Sequence, residues 1–506
     1  MKTPSTHVPP PAGHYRLARG LRVRADHVIC EYPLRVFRPG PATLRLLEIC
    51  AEARSPGELA AALGLPLKRV EQLCEQLRWR GLLEAGPPPP PQKWPGVSIV
   101  IPTYNRAEQL ERCLRALLQL EYPPEMLEII VVDDCSTDQT AAIFTQLAPS
   151  FTSRGITLQF LRHTLRQGAA QCRNNGAEAA RFDLLAFLDS DCVVTHGWLT
   201  ALVPAFADLA LTAAGGQLRA WERRSLSGRY EDRKSSLNMG AQPQRVTFDG
   251  PLTYLPTANL LVRREALRKI GGFALMPFGE DVDVCRRLLL EGAHILYLPQ
   301  SIVLHEYRTS LPAFLHTRVS YASSEAVLQR LHPATRRVLL LPPEQATFAG
   351  MAIGGLWGLL RMEMKRRGRA GVLALLTALL ITLIGAGKRL RGARRLGIGL
   401  HPLSVLRATL RGNLAYTYHL CRHITRYYTL PLLAVGIIVP PLLLLLLILC
   451  GIVIGVDYTR LRPNMRLGQF AICSLLDDCA YEVGVALGCV RQRTWMPLIP
   501  IVRKKL

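Results

Sequence analysis

The chain has 506 residues, enough for two or three domains, and 49% of them are apolar while 20% are charged. This composition excludes an intrinsically disordered chain and a collagen-like or other fibrous protein. The 62 Lys and Arg residues exceed the 38 Asp and Glu residues, which gives a formal net charge of +24. Such an excess is typical of proteins that contact nucleic acid, an anionic membrane or phosphate-rich substrates.

Residues 1–86 predict a small α+β domain with a winged-helix-like outline. Loose alternation over Tyr15–Phe37 indicates a short antiparallel meander. Helical patterns follow at Ala42–Ala51, Pro56–Leu63 and Leu67–Arg80, and Ser55 is the expected N-cap of the second helix. The third helix mixes acidic with basic residues, which argues against a DNA-binding face, so no nucleic-acid partner is expected.

The compartment can be inferred from the chain start and the cysteines. The first residues are polar and Pro-rich, without the apolar stretch of a signal peptide. The 13 cysteines are scattered singly, and no Cys-x-x-Cys pair occurs. These features favour a reducing compartment, the cytosol. A run of prolines then opens a predicted semi-rigid linker over residues 87–95.

Residues 96–330 alternate strand-like with helical patterns, which is typical of a doubly wound α/β domain. Buried strands are expected at Val97–Ile101, Ile129–Val132 and Leu184–Leu188, and helices at Glu108–Leu120 and Thr140–Leu147.

Three acidic clusters follow predicted strands or loops of this domain. They are Asp133-Asp134, the Asp189-Ser190-Asp191 triplet, and Glu280-Asp281 with Asp283. Carboxylates at the carboxyl ends of parallel strands face the crevice in which ligands bind. An Asp-x-Asp pair there suits Mg²⁺ or Mn²⁺ that also holds phosphate oxygens. Aspartates at strand ends are also ordinary loop residues, but three clusters in one domain favour a site.

Residues 331–506 predict a helical, membrane-associated region. Leu430–Val456 has 27 residues without a charged side chain, more than the roughly 20 that cross a bilayer, although Pro440-Pro441 interrupts it. Ala370–Gly387 is a second candidate span, and Thr347–Leu360 is a shorter segment, interfacial or buried. Basic residues flank the second candidate on both sides, so a re-entrant hairpin or an in-plane helix also stays open.

Ordered motifs in the α/β domain resemble those of the family 2 glycosyltransferases. The series begins with Val-Ser-Ile-Val-Ile-Pro-Thr-Tyr-Asn-Arg at Val97–Arg106 and continues with Val-Asp-Asp-Cys-Ser, Asp-Ser-Asp and Gly-Glu-Asp-Val-Asp-Val. The resemblance covers Gly96–Tyr307. It implies a GT-A fold, which is a Rossmann-like mixed sheet with a nucleotide-binding half and an acceptor-binding half. Cys135 departs from the usual glycine, but no charged position of the motifs is lost.

The same resemblance implies residue roles. Asp281 would be the general base of an inverting transfer, and Glu280 and Asp283 would lie on the acceptor side and raise its pKa. A divalent metal, Mg²⁺ or Mn²⁺, would be bound by Asp191, with Asp189 and His305 as further contacts; an interior histidine is the alternative for His305. The implied contacts to the UDP-sugar are Pro102, Thr103, Tyr104, Asp134, Arg173 and Asp189.

Further segments indicate which group of family 2 glycosyltransferases the chain resembles. Tyr15–Ala85 is similar in outline to PqqD-like peptide-recognition domains, and Tyr254–Asn259 and Asp477–Tyr481 resemble mycofactocin-system glycosyltransferases. This implies transfer of glucose from UDP-glucose to the peptide-derived redox cofactor premycofactocin. The N-terminal domain would bind a peptide by strand addition or be vestigial.

Two other hypotheses stay open. One is a membrane glycosyltransferase that acts on a lipid-linked or cell-envelope acceptor, because the basic segments would attract membrane lipids. The other is a non-catalytic binding protein with a degenerate transferase domain, against which the intact aspartates argue. We expect the protein at the inner cell membrane with its catalytic domain facing the cytoplasm, where nucleotide sugars are made.

Overall fold

The computed structural model describes residues 10–31, 34–86, 90–248, 250–361 and 365–504. They form two compact units, Met1–Pro90 with Leu341–His419, and Pro91–Leu340 with Leu420–Leu506. Residues 420–506 therefore group with the α/β domain, whereas the sequence suggested one separate helical region from residue 331 onward. Residues 1–9, where no signal peptide was expected, and 87–89, part of the predicted linker, lie outside the described residues.

The N-terminal part has the predicted mixture of small strands and three helices. In chain order these are β1 (Tyr15–Leu17), β2 (Leu21–Val23), β3 (Val28–Glu31), β4 (Leu34–Phe37), α1 (Pro41–Ile49), α2 (Pro56–Leu63), α3 (Leu67–Trp79) and β5 (Leu83–Ala85). Strands β2, β3 and β4 form an antiparallel sheet, and β1 pairs with β5. Ser55 caps α2 as predicted: its side chain accepts from the Glu58 amide, and the Glu58 carboxylate accepts from the Ser55 amide.

The α/β domain is built on a nine-stranded mixed sheet. Its strands are β6 (Val97–Thr103), β7 (Leu127–Asp133), β8 (Thr157–Arg162), β9 (Leu184–Phe187), β10 (Cys192–Val194), β11 (Leu211–Ala220), β12 (Gln244–Arg245), β13 (Leu260–Arg263) and β14 (His294–His305). Its helices are α4 (Ala107–Leu117), α5 (Thr140–Ser153), α6 (Ala169–Ala179), α7 (Trp198–Leu202), α8 (Leu226–Lys234), α9 (Arg264–Lys269), α10 (Glu280–Leu290) and α11 (Leu311–Leu331).

The order of the strands determines where a ligand can bind. The sheet runs β10-β14-β11-β13-β9-β6-β7-β8, with β12 beside β14, and β9, β6, β7 and β8 are parallel. The chain passes from β6 outward to β7 and β8 and then returns to the other side of β6 with β9. Such a reversal opens a crevice at the carboxyl ends of the strands. The predicted acidic clusters at Asp134 and Asp189 follow β7 and β9 at this edge.

The remaining elements are mainly long helices. They are β15 (Val338–Leu340), α12 (Pro343–Leu360), α13 (Lys365–Arg395), α14 (Pro402–Ile438), α15 (Pro441–Leu461), α16 (Leu467–Arg491) and β16 (Ile501–Arg503). In the described part of the chain, two segments are long and apolar enough to cross a membrane, Gly368–Arg395 and Pro441–Leu461. The first contains the predicted Ala370–Gly387 span. The shorter segment Thr347–Leu360 lies in α12, where Phe348 and Ala349 are buried.

The long apolar stretch Leu430–Val456 is not one helix. Helix α14 ends at Ile438 and α15 begins at Pro441, so the stretch is divided at Pro440-Pro441. Proline lacks the amide hydrogen of a helical residue, and its ring clashes with the preceding turn, whereas it is well accommodated in the first turn of the next helix. The candidate span is therefore α15 rather than the whole stretch.

Helices α11 and α16 pack closely because glycines lie between them. A Cβ atom at Gly484 would lie 2.3 Å from the carbonyl oxygen of Val319, and one at Gly488 would lie 2.3 Å from that of Ser323. Real Cβ atoms do not approach oxygen so closely, so the observed separation of the two helices requires glycine at both positions.

Helix α6 is held against the sheet in a similar way, which gives a test of the packing. A Cβ atom at Gly176 would lie 2.3 Å from Cγ1 of Val100 in β6. We expect Gly176→Ala to lower the free energy of unfolding by about 1–3 kcal/mol, because the extra methyl group overfills the core. Gly468→Ala is the matched control, since a Cβ atom there meets nothing within 4 Å. Unfolding transitions of the two variants provide the measurement, and equal stability would contradict the packing argument.

Candidate active site

A cleft of about 860 Å³ opens at the carboxyl ends of β6, β7 and β9 and extends to α11 and α16. Ten of the eleven site residues expected from the sequence line it; Asp283 is the one that does not. The ten are Pro102, Thr103, Tyr104, Asp134, Arg173, Asp189, Asp191, Glu280, Asp281 and His305. The residues that the strand-end argument singled out thus meet in one cleft, and their roles stay a prediction.

Arg173 lies at the centre of this cleft. It projects from α6, its side chain is only 4% exposed, and it donates hydrogen bonds to Asp189 at 2.7 Å and to Glu280 at 2.8 Å. Burial disfavours the charged guanidinium, but the two carboxylates outweigh burial and raise the pKa of Arg173. The cation is thus permanently charged and joins α6, the β9 loop and the first turn of α10.

Asp134 organises the loop that precedes α6. Its carboxylate accepts hydrogen bonds from the amides of Gln167 at 2.7 Å and Gly168 at 2.8 Å, and it lies 3.0 Å from Nδ1 of His163. Burial alone would raise the pKa of Asp134, but these donors together lower it. The carboxylate is therefore ionised and shapes the floor of the cleft at the end of β7.

Thr103 and Tyr104 lie beside Asp134 at the end of β6. The hydroxyl oxygen of Thr103 is buried and has no hydrogen-bond partner in the part of the chain that the structure describes. The guanidinium of Arg166 stacks 4.3 Å from the ring centre of Tyr104. This end of the cleft thus offers an unused hydroxyl, an aromatic face and a cation, which are groups that suit a nucleotide.

Asp191 and His305 meet because β10 and β14 are paired. Cys192 is opposite His305 in the antiparallel register, so Asp191, one residue earlier, approaches the imidazole. Nε2 of His305 lies 3.6 Å from Oδ1 of Asp191, and Arg106 binds the other carboxylate oxygen. Burial would raise the pKa of Asp191, but His305 and Arg106 outweigh burial and lower it.

The Asp191–His305 pair fits a divalent cation. Oδ1 of Asp191 and Nδ1 of His305 are both buried and lack a hydrogen-bond partner among the described residues. An unpaired buried carboxylate oxygen is unfavourable without a ligand, and a carboxylate beside an imidazole suits Mn²⁺. The role of His305 as a metal ligand stays a prediction. Asp189, the other carboxylate of the Asp-Ser-Asp motif, binds Arg173 instead.

Asp281 lies in the first turn of α10. Gly279 precedes this helix with a left-handed backbone, φ 88°, which turns the chain so that Glu280 and Asp281 line the cleft. Burial, and then the charge of Glu280, raise the pKa of Asp281 to about 7. A carboxyl group with a pKa near neutrality is suited to accept a proton from a substrate hydroxyl.

Asp283 does not join this group. It is buried, and its carboxylate contacts Arg287 at 2.6 Å and Nε2 of His332 at 2.8 Å. Two residues along a helix correspond to about 200° of rotation, so Asp283 leaves α10 on the face opposite Asp281. The structure therefore gives it a role in anchoring α10 to the end of α11, not on the acceptor side, and it does not contribute to the raised pKa of Asp281.

The cleft also has residues that the motifs did not indicate. Arg106 was quoted only as part of the first motif, and its contact to Asp191 joins residues 85 positions apart. A helical wall contributes further side chains, namely Arg318, Tyr321, Glu325, Arg337, Arg426, Tyr427 and Tyr481. The Asp477–Tyr481 motif was the only sequence signal of this wall, because contacts between distant helices leave no local pattern.

Buried ion pairs hold the helical wall together. Nε of Arg318 in α11 lies 2.5 Å from Oδ1 of Asp477 in α16, and the Tyr230 hydroxyl donates to Oδ2 of the same carboxylate at 3.0 Å. Arg426 donates to Asp478 at 2.9 Å. Burial would raise the pKa of Asp477, but Arg318 and Arg426 outweigh burial and lower it. The Asp477-Asp478 pair therefore anchors α16 beside the cleft.

The different positions of Asp281 and Asp283 lead to a prediction for the latter. Asp283→Asn removes a buried charge that is paired with Arg287 and His332, so we expect the free energy of unfolding to fall by about 3 kcal/mol. The turnover per folded molecule should stay close to that of the wild type, because Asp283 does not line the cleft. Denaturant unfolding and turnover, normalised to the folded fraction, provide the measurements. Wild-type stability together with lost turnover would place Asp283 in the active site after all.

Comparisons with known proteins agree with this geometry. A family model described as Glycosyl transferase family 2 matches residues 98–271. The Pre-mycofactocin glycosyltransferase of Mycobacterium tuberculosis is 30% identical over 508 residues, covering 96% of this chain and 99% of that protein. Glycosyltransferase AglE of Haloferax volcanii is 28% identical over 216 residues, 42% of this chain and 68% of that protein. The structure of the mannosyltransferase PcManGT from Pyrobaculum calidifontis, in complex with GDP-Man and Mn²⁺, has a TM-score of 0.40 and 20% identity, covering 74% of this chain and 98% of that one. The similarity to the M. tuberculosis protein over nearly the whole chain shows that this chain belongs to glycosyl transferase family 2 and is a glycosyltransferase, and its mixed nine-stranded sheet is the GT-A fold expected of that family.

Proposed function

We propose that this glycosyltransferase is a metal-dependent inverting enzyme that transfers glucose from a UDP-sugar to premycofactocin. The observation that carries the reaction type is Asp281, a carboxyl group with a pKa raised to about 7 in the same cleft as the unpaired Thr103 hydroxyl and Arg173. The acceptor is supported by the relative from M. tuberculosis, because that similarity covers 96% of this chain, including the helical wall.

The residues suggest a division of roles along the cleft. Thr103 and Tyr104 would hold the nucleoside, with Asp134 shaping the loop beneath it. Asp281 would take the proton from an acceptor hydroxyl as its oxygen attacks the anomeric carbon. The bond from that carbon to the diphosphate breaks, and its electron pair leaves on UDP. A single displacement of this kind inverts the anomeric configuration, by the same logic that governs inverting glycosidases.

Arg173 and the Asp191–His305 pair would act on the leaving group. Arg173 is charged at all relevant pH values and lies in the cleft between Asp189 and Glu280, so it can stabilise negative charge that develops on the diphosphate. Asp191 and His305 would hold Mg²⁺ or Mn²⁺. When bound, such an ion neutralises the diphosphate and stabilises the departing UDP.

The outer parts of the chain suggest where the enzyme works. The segments Gly368–Arg395 and Pro441–Leu461 are compatible with attachment to the cell membrane, with the catalytic domain on the cytoplasmic side and membrane lipids as contacts. The β2–β3–β4 sheet of the N-terminal part would accept a peptide by addition of a strand, in the manner of a PqqD-like domain. These apolar helices also favour the second candidate function, transfer to a lipid-linked or cell-envelope acceptor.

The proposal predicts hexose transfer that depends on Asp281. Purified protein with Mn²⁺, premycofactocin and a panel of UDP-sugars should yield a hexosylated cofactor, detected by mass spectrometry, and chelation of the metal should abolish the product. Asp281→Asn should lower the rate by about 10²- to 10⁴-fold, the usual contribution of a general base.

Two controls separate the alternatives. Asp283→Asn, matched in chemistry, should transfer sugar at the wild-type rate per folded molecule. If the wild type hydrolyses a UDP-sugar without modifying premycofactocin in this assay, the assignment as a glycosyltransferase stays intact. That result would exclude premycofactocin as the acceptor and favour a lipid-linked or envelope glycan. Equal transfer by Asp281→Asn and wild type would disprove the assignment of the base.

A pH profile tests the same base independently. Asp281 accepts a proton only when it is ionised, and its pKa is raised to about 7 by burial and Glu280. The rate of transfer should therefore increase about tenfold per pH unit below pH 7 and level off above it. Glu280→Gln removes the neighbouring negative charge, which should lower the pKa of Asp281 and move the rise of the transfer rate to lower pH. Single-turnover rates between pH 5 and 9 provide the measurement; a flat profile in this range would contradict the role of Asp281.

A further inference from the structure

One end of the cleft is lined by Glu325, Arg337, Arg426, Tyr427 and Tyr481, which we call the arginine–tyrosine end. These residues come from α11, from the turn before β15, from α14 and from α16. Asp281 lines the same cleft, so a molecule that reaches this end can also present a hydroxyl to the base.

Most polar groups at the arginine–tyrosine end already have partners. The Glu325 carboxylate accepts hydrogen bonds from the Tyr481 hydroxyl at 2.6 Å and from the Tyr427 hydroxyl at 3.0 Å. Arg426 donates to Asp478 at 2.9 Å, and its guanidinium stacks 3.6 Å from the ring centre of Tyr481. These contacts hold the four side chains in place. The N–H groups of Arg337 are the donors at this end that lack a partner among the described residues.

Arg337 has the geometry of a binding residue. Its guanidinium carbon lies 3.5 Å from the ring centre of Tyr427, so one face of the group is covered. Nε, Nη1 and Nη2 are all buried, and none has a hydrogen-bond partner among the described residues. Stacking leaves the in-plane N–H groups of a guanidinium unsatisfied, and buried charged donors without acceptors are strongly unfavourable. The Glu325 carboxylate supplies a nearby counter-charge but accepts no hydrogen bond from Arg337, so an acceptor in the plane of the guanidinium would satisfy its free N–H groups.

We propose that Arg337 binds a planar carbonyl-type oxygen, an amide carbonyl or a carboxylate, of the molecule that receives the sugar. This inference rests on the proposed function, because a peptide-derived acceptor carries such oxygens. Two parallel N–H groups on one edge of the guanidinium match one planar oxygen group, and Tyr427 orients that edge. Arg337 thereby holds the far end of the acceptor while Asp281 deprotonates its hydroxyl.

A sugar hydroxyl is a less suitable ligand for this position. Hydroxyl groups of glycans are best bound by a carboxylate and an arginine together, since a hydroxyl both donates and accepts. The nearby carboxylate of Glu325 is already engaged by two tyrosine hydroxyls. The Arg337 donors are therefore unused while the Glu325 carboxylate is not, and a planar oxygen that accepts without donating matches them; Oε1 of Gln329, also unpaired among the described residues, lines the same cleft.

The test compares neighbouring arginines. Arg337→Gln should raise the KM for premycofactocin by about 10- to 100-fold, as expected for loss of a charge-assisted hydrogen-bond pair. The KM for the UDP-sugar, measured by its hydrolysis without acceptor, should stay unchanged. Arg336→Gln is the matched control, because Arg336 does not line the cleft and donates to the carbonyl oxygen of Ile499. In Arg337→Ala, added methylguanidinium should partly restore transfer, a rescue that a merely structural role would not show.

The outcomes separate this inference from the proposed function. An unchanged KM for premycofactocin in Arg337→Gln, with a wild type that transfers sugar, overturns the inference alone. Loss of folding or donor hydrolysis in Arg337→Gln, with no rescue of Arg337→Ala, also overturns it and makes Arg337 structural. A defect confined to acceptors that already carry a sugar assigns the residue to glycan binding and overturns it. Absence of transfer by the wild type itself overturns both the acceptor and the inference.

Discussion

The catalytic centre depends on one buried cation, Arg173, held between Asp189 and Glu280. The three residues come from α6, from the loop after β9 and from the first turn of α10, so the contact fixes three separate elements at the mouth of the sheet. Burial is the main cause of the raised pKa of Asp281; the Glu280 carboxylate adds to it, and the Arg173 cation opposes it. The residues that hold the site together thus also adjust the proton affinity of Asp281.

An arrangement of this kind is costly in the free enzyme. Buried charges lose hydration, and their mutual attraction offsets that loss only when the geometry is good. The cleft retains several such groups, because Asp191 and His305 also have buried atoms without partners among the residues that the structure describes. Stability is instead supplied by apolar packing away from the cleft, for example where Gly176 lets α6 lie directly on Val100. A rigid support of this type keeps charged groups in place before the substrates arrive.

The sequence predicted the parts that depend on local pattern. The β-branched runs of β6 and β7, the cap of α2 at Ser55 and the aspartates that follow the strands all reflect nearby residues, and the structure confirms their positions. The motif resemblance led to the family and the fold. The acidic cluster in α10 shows where such reasoning ends: the sequence pattern did not identify this segment as a helix, and only in a helix does the two-residue spacing put Asp281 and Asp283 on opposite faces.

Contacts between residues far apart in the chain could not be predicted from the sequence, because local patterns do not encode how distant elements pack. Three contacts depend on how distant elements pack. Asp189 binds Arg173, whereas Asp191 binds Arg106, and Arg337 stacks on Tyr427. The stretch Leu430–Val456 is apolar as the sequence shows, but the pair Pro440-Pro441 divides it between two helices. The roles assigned to the individual site residues remain proposals.

The glycine contacts between α11 and α16 have a consequence for the choice of acceptor. Gly484 and Gly488 let the two helix backbones touch, and these helices contribute Glu325 and Tyr481 to the same wall of the cleft. The bulk of the residue at either glycine position therefore affects the width of the arginine–tyrosine end, although neither glycine lines the cleft. Family members could evolve toward larger or smaller acceptors through positions that no substrate contacts, and an engineer could use the same route without altering the catalytic residues.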